Sequence, residues 1–126
     1  MHRIVRFALI GLIAATATAC SATAGGGAAD GSMSIALEDA RFTPNRIDAK
    51  VGVPLRVRIT NNGTERHDLN FESVHMPGLG GVESILEPGE TRSITLMFEE
   101  PGTHPFICTL PGHAAAGMSG AAYVTP

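Results

Sequence analysis

The sequence is poor in the residues that would define several common classes of protein. Its 126 residues include no tryptophan, one tyrosine and two cysteines, and only Cys108 of these cysteines lies beyond the N-terminal region. No intramolecular disulfide framework is therefore expected. Basic residues are also scarce, with 9 Lys and Arg against 12 Asp and Glu and a formal net charge of −3, which argues against nucleic acid as a partner. The length allows one domain with a modest core.

The N-terminal residues have the pattern of an export signal. Arg3 and Arg6 precede an apolar run over residues 7–15, and small residues then lead to Cys20. The run is shorter than the roughly 20 residues that cross a bilayer, so a permanent transmembrane helix is disfavoured. The sequence predicts a signal peptide over residues 1–19 and export to the periplasm or the cell surface.

Cys20 leaves two routes open after export. The residues before it satisfy the small-x-small rule for ordinary cleavage, but they also resemble a bacterial lipobox, in which the cysteine is lipid-modified. Residues 20–32 are rich in Gly, Ala and Ser and predict a flexible linker. Such a linker favours a lipid on Cys20, which would tether the protein to a membrane surface; the alternative is a freely secreted protein with an unpaired thiol. The folded domain is expected over residues 33–126.

Hydrophobic and polar side chains alternate with period two through most of this domain. The segment PLRVRITN, residues 54–61, places three aliphatic side chains on one face and two arginines on the other. Turn sequences such as EPGE at residues 87–90 separate the runs, and no stretch shows a convincing helical stripe. The sequence therefore predicts an all-β domain, a Greek-key antiparallel β-sandwich of seven or eight strands.

Four side chains with metal-binding chemistry stand out from this pattern. In FICTLPGHAAAGMSG, residues 106–120, four residues separate Cys108 from His113, and four more separate His113 from Met118. Alternation places Cys108 inward at the end of one strand and His67 inward on another. One thiolate, two imidazoles and a thioether suit a copper ion that cycles between two oxidation states.

The residues between these donors favour a compact loop. The sequence Leu110-Pro111-Gly112 predicts a type II turn that returns the next residue, His113, towards the sulfur of Cys108. Gly117 supplies a second bend, which brings the following methionine back before the last strand. The loop would thus carry three donors, while the fourth is fixed on a separate strand.

These motifs resemble the cupredoxin family, the mononuclear type 1 or blue copper proteins. The likeness rests on the Cys-x4-His-x4-Met loop ending in GMSG, on PGTHPF before it, and on RHDLNF upstream. The resemblance implies a cupredoxin β-sandwich with one copper ion. It also implies that His67, Cys108 and His113 are the equatorial ligands and that Met118 is a weak axial ligand.

Departures from related copper proteins narrow the expected function. Gly112 stands where the binuclear copper domain of cytochrome oxidase needs a second cysteine, and the sequence has no His-x-His pair of the kind found in multicopper oxidases. The resemblance therefore implies an electron carrier that is not an enzyme and that docks cytochrome-type or oxidase-type redox partners at a small apolar patch around His113. Two alternatives remain: copper capture or delivery without electron transfer, and a module of an oxidase with a permanent partner.

Three positions near the expected ligands carry predictions of their own. Asp68 is expected to bond backbone or hydroxyl groups near Thr109 and so to support the site. His104 is expected to be a hydrogen-bonded structural residue and not a ligand. His75 and Met76 are expected on a loop at the metal end, where they would either shield the site or form an extra copper-loading site.

Overall fold

A computed structural model describes residues 31–126 of the chain. The signal peptide predicted over residues 1–19 lies outside the described residues, as does the predicted linker apart from its last two positions. Within residues 31–126, no helix combines the length and the apolar character needed to span a bilayer.

The described residues fold into eight strands, which confirms the predicted all-β class. A single 3-10 turn, Val82–Ser84, interrupts the chain between the fifth and sixth strands. The strands are β1 (Ser32–Glu38), β2 (Arg41–Thr43), β3 (Arg46–Lys50), β4 (Leu55–Asn61), β5 (Asn70–Phe71), β6 (Thr91–Leu96), β7 (Gly102–Ile107) and β8 (Ser119–Thr125).

The strands form two four-stranded sheets that pack as a sandwich. One sheet has the order β2-β1-β4-β6 and the other the order β3-β8-β7-β5. The pairs β1/β4 and β3/β8 are parallel, whereas the other four pairs are antiparallel, so both sheets are mixed and not purely antiparallel as expected. The reason is that the chain leaves the first sheet after β2, crosses to the second as β3, and returns as β4 in the direction of β1. Alternation identifies the buried face of a strand but carries no information on the direction of its neighbour.

The core lies between the two sheets, where the inward faces meet. In β4, Leu55, Val57 and Ile59 are buried while Arg56 and Arg58 are exposed, which confirms the predicted alternation. Four phenylalanine rings form a continuous edge-to-face row with centroid separations of 5.1 to 5.5 Å. The row consists of Phe42, Phe106, Phe71 and Phe98, in this order.

Phe106 links this aromatic row to the end of the sandwich where the expected ligands lie. Its side chain is fully buried on the inward face of β7, and Cys108 follows two residues later on the same face. The close-packed core therefore fixes the strand that presents the thiol.

The loop containing His75 and Met76 lies at the other end of the sandwich, so the expectation that it covers the metal end is wrong. These residues line a cavity of about 780 Å³ together with Thr95, near the end of β6, and residues 97–100, which follow that strand. β6 is antiparallel to β4, so the end of β6 lies beside Leu55 at the start of β4, whereas His67 follows the end of β4. Met76 is buried in the core, and His75 is exposed. After β5 the chain runs away from His67 and returns to it only at Leu86, which pairs with His67. Turn sequences alone do not indicate this path.

Phe106→Ala is expected to lower the free energy of unfolding of the metal-free domain by about 3–5 kcal/mol, because a fully buried ring that contacts two others leaves a cavity. Denaturant unfolding measures the change. Val82→Ala is the control, since that side chain is 82% exposed and its loss should change the stability by less than about 0.5 kcal/mol. Equal midpoints for the two variants would contradict the proposed role of the aromatic row.

Candidate metal centre

Three of the four predicted donors converge at one end of the sandwich. One ligand atom each from His67, Cys108 and His113 lies within 4.8 Å of the other two. The two imidazoles approach through their Nδ1 atoms, which are 3.1 Å apart, and Cys108 Sγ lies 3.4 Å from His113 Nδ1. The described residues contain no other group of three His, Cys, Asp or Glu side chains arranged this closely.

Backbone hydrogen bonds and strand pairing hold His67 and Cys108 in position. His67 forms an isolated antiparallel bridge with Leu86, with its N–H donating to the Leu86 carbonyl at 3.2 Å and its carbonyl accepting at 2.8 Å. Cys108 directly follows Ile107, the last residue of β7. Both donor side chains are fully buried, so the site is built into the end of the core.

The loop that carries His113 has the turn predicted from its sequence. The N–H of His113 donates to the Leu110 carbonyl at 3.2 Å, and Gly112 between them has a φ of 86°, as the third residue of a type II turn requires. A single helical turn follows, and it ends at Gly117 with a φ of 106°. The N–H of Met118 then donates to the His113 carbonyl at 3.0 Å, as in a Schellman motif, which closes the loop.

Met118 returns to the start of the loop, as predicted. The N–H of Cys108 donates to the Met118 carbonyl at 3.1 Å, so the two ends of the loop are joined directly. The Met118 side chain is fully buried and belongs to the same core cluster as Cys108. A buried thioether beside the strand that presents the thiol suits a weak additional ligand.

Asp68 joins the two segments that bring the donors together, which confirms its predicted role. Its buried carboxylate accepts the Thr109 N–H at 2.6 Å and also the Thr109 hydroxyl. Thr109 follows Cys108 and Asp68 follows His67, so these two hydrogen bonds fix the separation of two donors.

His104 is a structural residue, as expected. Its Nε2 lies 3.1 Å from the Glu100 carbonyl, and its ring packs against Phe98 with centroids 5.1 Å apart. It therefore supports the turn before β7 and takes no part in the cluster of donors.

Two carboxylates at the outer edges of the imidazoles were not anticipated from the sequence. Asp39 Oδ1 lies 3.2 Å from His67 Nε2, and Glu65 Oε2 lies 3.1 Å from His113 Nε2. Asp39 belongs to the turn between β1 and β2, which is distant in sequence from every donor. Glu65 precedes His67 by two residues and carries no motif of its own. Tertiary contact alone identifies both.

The electrostatics of the site follow from its burial and from these hydrogen bonds. Burial raises the pKa of the Cys108 thiol and so favours its protonated form. A metal ion that binds this sulfur must therefore displace the proton. The Thr64 hydroxyl, the His67 imidazole and the Thr64 N–H lower the pKa of Asp39 to about 2. Asp39 is therefore an anion beside the site across the ordinary pH range.

The donor set fits one copper ion. Nitrogen and sulfur donors lie about 2.0–2.3 Å from a first-row metal, so donors that share an ion are roughly 3–4 Å apart. The separations of 3.1 and 3.4 Å between the inward atoms agree with this requirement. A single thiolate with two imidazoles and a distant thioether is the combination that selects copper over harder metals.

Comparison with known proteins agrees with this chemistry. A family model described as a cupredoxin-like domain matches residues 9–118. Auracyanin-B of Chloroflexus aurantiacus is 49% identical over 43 residues, which are 34% of this chain. The matched segment spans 18% of the length of that relative.

Solved structures with the same fold include two auracyanins. The dithionite-reduced auracyanin of Roseiflexus castenholzii is 21% identical, with a TM-score of 0.63 over 76% of this chain and 98% of its own. Auracyanin A of Chloroflexus aurantiacus, described as a blue copper protein, is 20% identical, with a TM-score of 0.62 over 75% and 98%. A multicopper oxidase is 26% identical, with a TM-score of 0.63 over 75% of this chain and 42% of the oxidase. These likenesses establish a shared β-sandwich fold.

Asp68→Ala is expected to lower the free energy of unfolding of the metal-free protein by about 2–4 kcal/mol, because it removes two hydrogen bonds to a buried carboxylate and leaves the Thr109 N–H without its acceptor. It should also weaken copper binding by about 10-fold or more, since the donor segments lose their link. Denaturant unfolding and competition with a copper chelator measure the two effects. Thr109→Val is the matched control, which removes only the hydroxyl bond and should cost less. Unchanged unfolding in Asp68→Ala would contradict the linking role.

Proposed function

Because the chain belongs to the cupredoxin-like domain family, as its motifs predicted, we propose that it is an exported blue copper protein that passes single electrons between redox proteins. The observation that carries the proposal is the convergence of His67 Nδ1, His113 Nδ1 and Cys108 Sγ from two distant segments onto one point. We assign these three atoms as equatorial ligands and Met118 as the weak axial ligand.

The chain supplies an environment that tolerates a change of oxidation state. Copper, when bound, provides a one-electron couple, in which thiolate and thioether favour the reduced ion and imidazole suits both forms. His67 is fixed by its bridge to Leu86, and Cys108 is fixed by its bond to the Met118 carbonyl. Donors held by backbone hydrogen bonds at the end of a packed core move little, and small movement favours fast electron transfer.

The route for electrons runs through His113. Its side chain is 17% exposed, whereas His67 is fully buried. The surface around its edge includes exposed Pro111 and Gly112 and the exposed alanines at 114–116, together with the Glu65 carboxylate at Nε2. A small apolar patch around a ligand edge suits brief docking of a redox partner, because weak interfaces are small and release quickly.

Electron transfer without substrate chemistry is the form of the proposal that the residues support best. The fold is shared with a multicopper oxidase as well as with auracyanins, so the fold does not separate the two activities. The sequence has five histidines and no His-x-His pair, which supports a mononuclear site. The donors are also buried apart from the edge of His113, so the residues that the site presents to a partner suit an electron and not a bound substrate.

Export and membrane attachment rest on the N-terminal sequence alone. Residues 1–19 have the order of a signal peptide, and Cys20 begins a linker rich in Gly, Ala and Ser. We propose that a lipid on Cys20 holds the domain at the outer face of a membrane, where the linker gives it the reach to meet partners. Mass spectrometry of the mature N-terminus distinguishes this form from a freely secreted one.

The copper-loaded protein is expected to show intense visible absorption and the narrow copper hyperfine splitting of a type 1 site in its spin-resonance spectrum, and to be reduced and reoxidised reversibly. The physical reason is a direct bond between copper and the Cys108 thiolate. Cys108→Ala should lose the colour while keeping the fold. A colourless oxidised wild-type protein would sink the proposal, and a coloured protein that cannot be cycled would point to copper capture or delivery instead.

Ala115→Asp is expected to slow electron self-exchange by at least about tenfold while leaving the visible spectrum unchanged, because two copies that dock through the patch would bring like charges together. Nuclear magnetic resonance of mixtures of oxidised and reduced protein measures the rate. Thr95→Asp is the matched control, with the same charge change on an exposed residue near the end of β6, away from the site. Equal self-exchange rates in the two variants would argue against docking at His113.

A further inference from the structure

Both imidazoles of the candidate site are held at both of their ring nitrogens. Their Nδ1 atoms face each other at 3.1 Å on the inner side of the site. On the outer side, Nε2 of His67 meets the Asp39 carboxylate at 3.2 Å, and Nε2 of His113 meets the Glu65 carboxylate at 3.1 Å. Each ring therefore lies between the donor cluster and an anion.

This arrangement selects the form of the imidazole that binds a metal. A carboxylate can only accept a hydrogen bond, so Nε2 of the neutral ring must carry the hydrogen. The lone pair is then on Nδ1, which is the atom that faces the other donors. Asp39 and Glu65 thus fix both the orientation and the tautomer of the two rings.

The two carboxylates belong to one hydrogen-bonded unit. Asp39 accepts the Thr64 N–H and the Thr64 hydroxyl, each at 2.9 Å, and the Glu65 N–H at 3.4 Å. The turn between β1 and β2 therefore anchors the loop that carries Glu65. Asp39 positions His67 directly, and through this loop it also places the carboxylate that meets His113.

Gly63 leaves the room that this contact needs. A Cβ atom added there would lie 2.7 Å from His67 Nε2 and even closer to Asp39 Oδ1. Any side chain at position 63 would push the carboxylate and the ring apart. A substitution at Gly63 consequently breaks the contact without changing any charge.

The two pairs differ in how strongly solvent screens them. The Asp39 side chain is 49% exposed against a fully buried His67, whereas the Glu65 side chain is 67% exposed against a His113 that is 17% exposed. Charges near the surface act through water and are weakened by salt, while a charge against a buried ring is screened less. The Asp39 charge should therefore have the larger effect at the site.

We propose that Asp39 and Glu65 are positioning residues that hold the two ligand imidazoles from outside and lower the reduction potential of the copper centre. The proposal rests on the proposed function, because it assumes a copper ion bound through the two Nδ1 atoms. An anion on Nε2–H makes the imidazole a stronger base and favours the more highly charged ion. The oxidised form is thereby stabilised relative to the reduced form.

The test is a redox titration of the copper-loaded protein and of its Asp39→Asn and Glu65→Gln variants. Both amides keep an oxygen that can accept from Nε2–H, so they remove the charge while retaining the contact. Both variants should have a higher reduction potential than the wild type, with the larger rise in Asp39→Asn. The rise in Glu65→Gln should shrink as salt is raised from about 0.1 M to about 1 M, over which the screening length falls from about 10 Å to about 3 Å.

Two controls separate this effect from general changes in charge and in loop structure. Glu87→Gln removes one charge from an exposed residue next to Leu86, which pairs with His67, and should leave the potential near that of the wild type. Thr43→Val removes one hydroxyl hydrogen bond to the Glu38 carboxylate, which pairs with Arg41 instead of an imidazole, and should also leave the potential nearly unchanged. A third variant, Gly63→Ala, is not a control, because the added Cβ displaces Asp39 from His67. It should weaken the affinity for reduced copper by about 10-fold or more.

A second readout follows the rings themselves. In the reduced, diamagnetic form, the Nε2–H proton of His113 should be observed by nitrogen-resolved magnetic resonance in the wild type and should exchange faster with water in Glu65→Ala.

Potentials of Asp39→Asn and Glu65→Gln equal to that of Glu87→Gln in a blue, reversible protein would overturn this inference and leave the proposed function standing. A colourless wild type would overturn both. If Asp39→Asn does not fold, the exposed Glu65→Gln decides the question alone.

Discussion

The candidate metal site depends on a fold that brings buried donor side chains from two distant segments to one point at the end of the sandwich. Polar groups in such a place are costly unless each has a partner. Here the His67 ring meets Asp39, the His113 ring meets Glu65, and Asp68 meets Thr109. The protein's own contacts therefore orient the side chains of the candidate site.

Two kinds of interaction share this task. The aromatic row and the paired strands hold β7 in place, and the strand delivers Cys108 at its end. The loop after Cys108 then closes on itself through backbone hydrogen bonds, from the type II turn at Gly112 to the bond between the Cys108 N–H and the Met118 carbonyl. Donors held by both kinds of interaction have little freedom to move when the charge at the site changes. The electron-transfer function that we propose requires this constancy.

Local sequence patterns predicted the structure correctly where the backbone preference of a residue or the alternation along a strand decides the outcome. Pro111 and Gly112 dictate a type II turn, and the φ of Gly112 agrees with it. Alternation in β4 identified the buried face correctly. The direction of strand pairing, and the placement of the loop with His75 at the end away from the donors, were not encoded locally. Both depend on where the chain crosses between the two sheets, and the sequence of a short segment carries no information on these crossings.

The sequence by itself indicated the candidate donors, their order along the chain and the β-sandwich that holds them, because spacing and alternation are properties of neighbouring residues. Only the tertiary structure decided what lies outside the two imidazoles. Asp39 and Glu65 become partners of His67 and His113 through the packing of a turn between β1 and β2 against the loop that follows β4. Contacts between segments distant in sequence arise from the folded shape as a whole, so the residues involved carry no signature of their own.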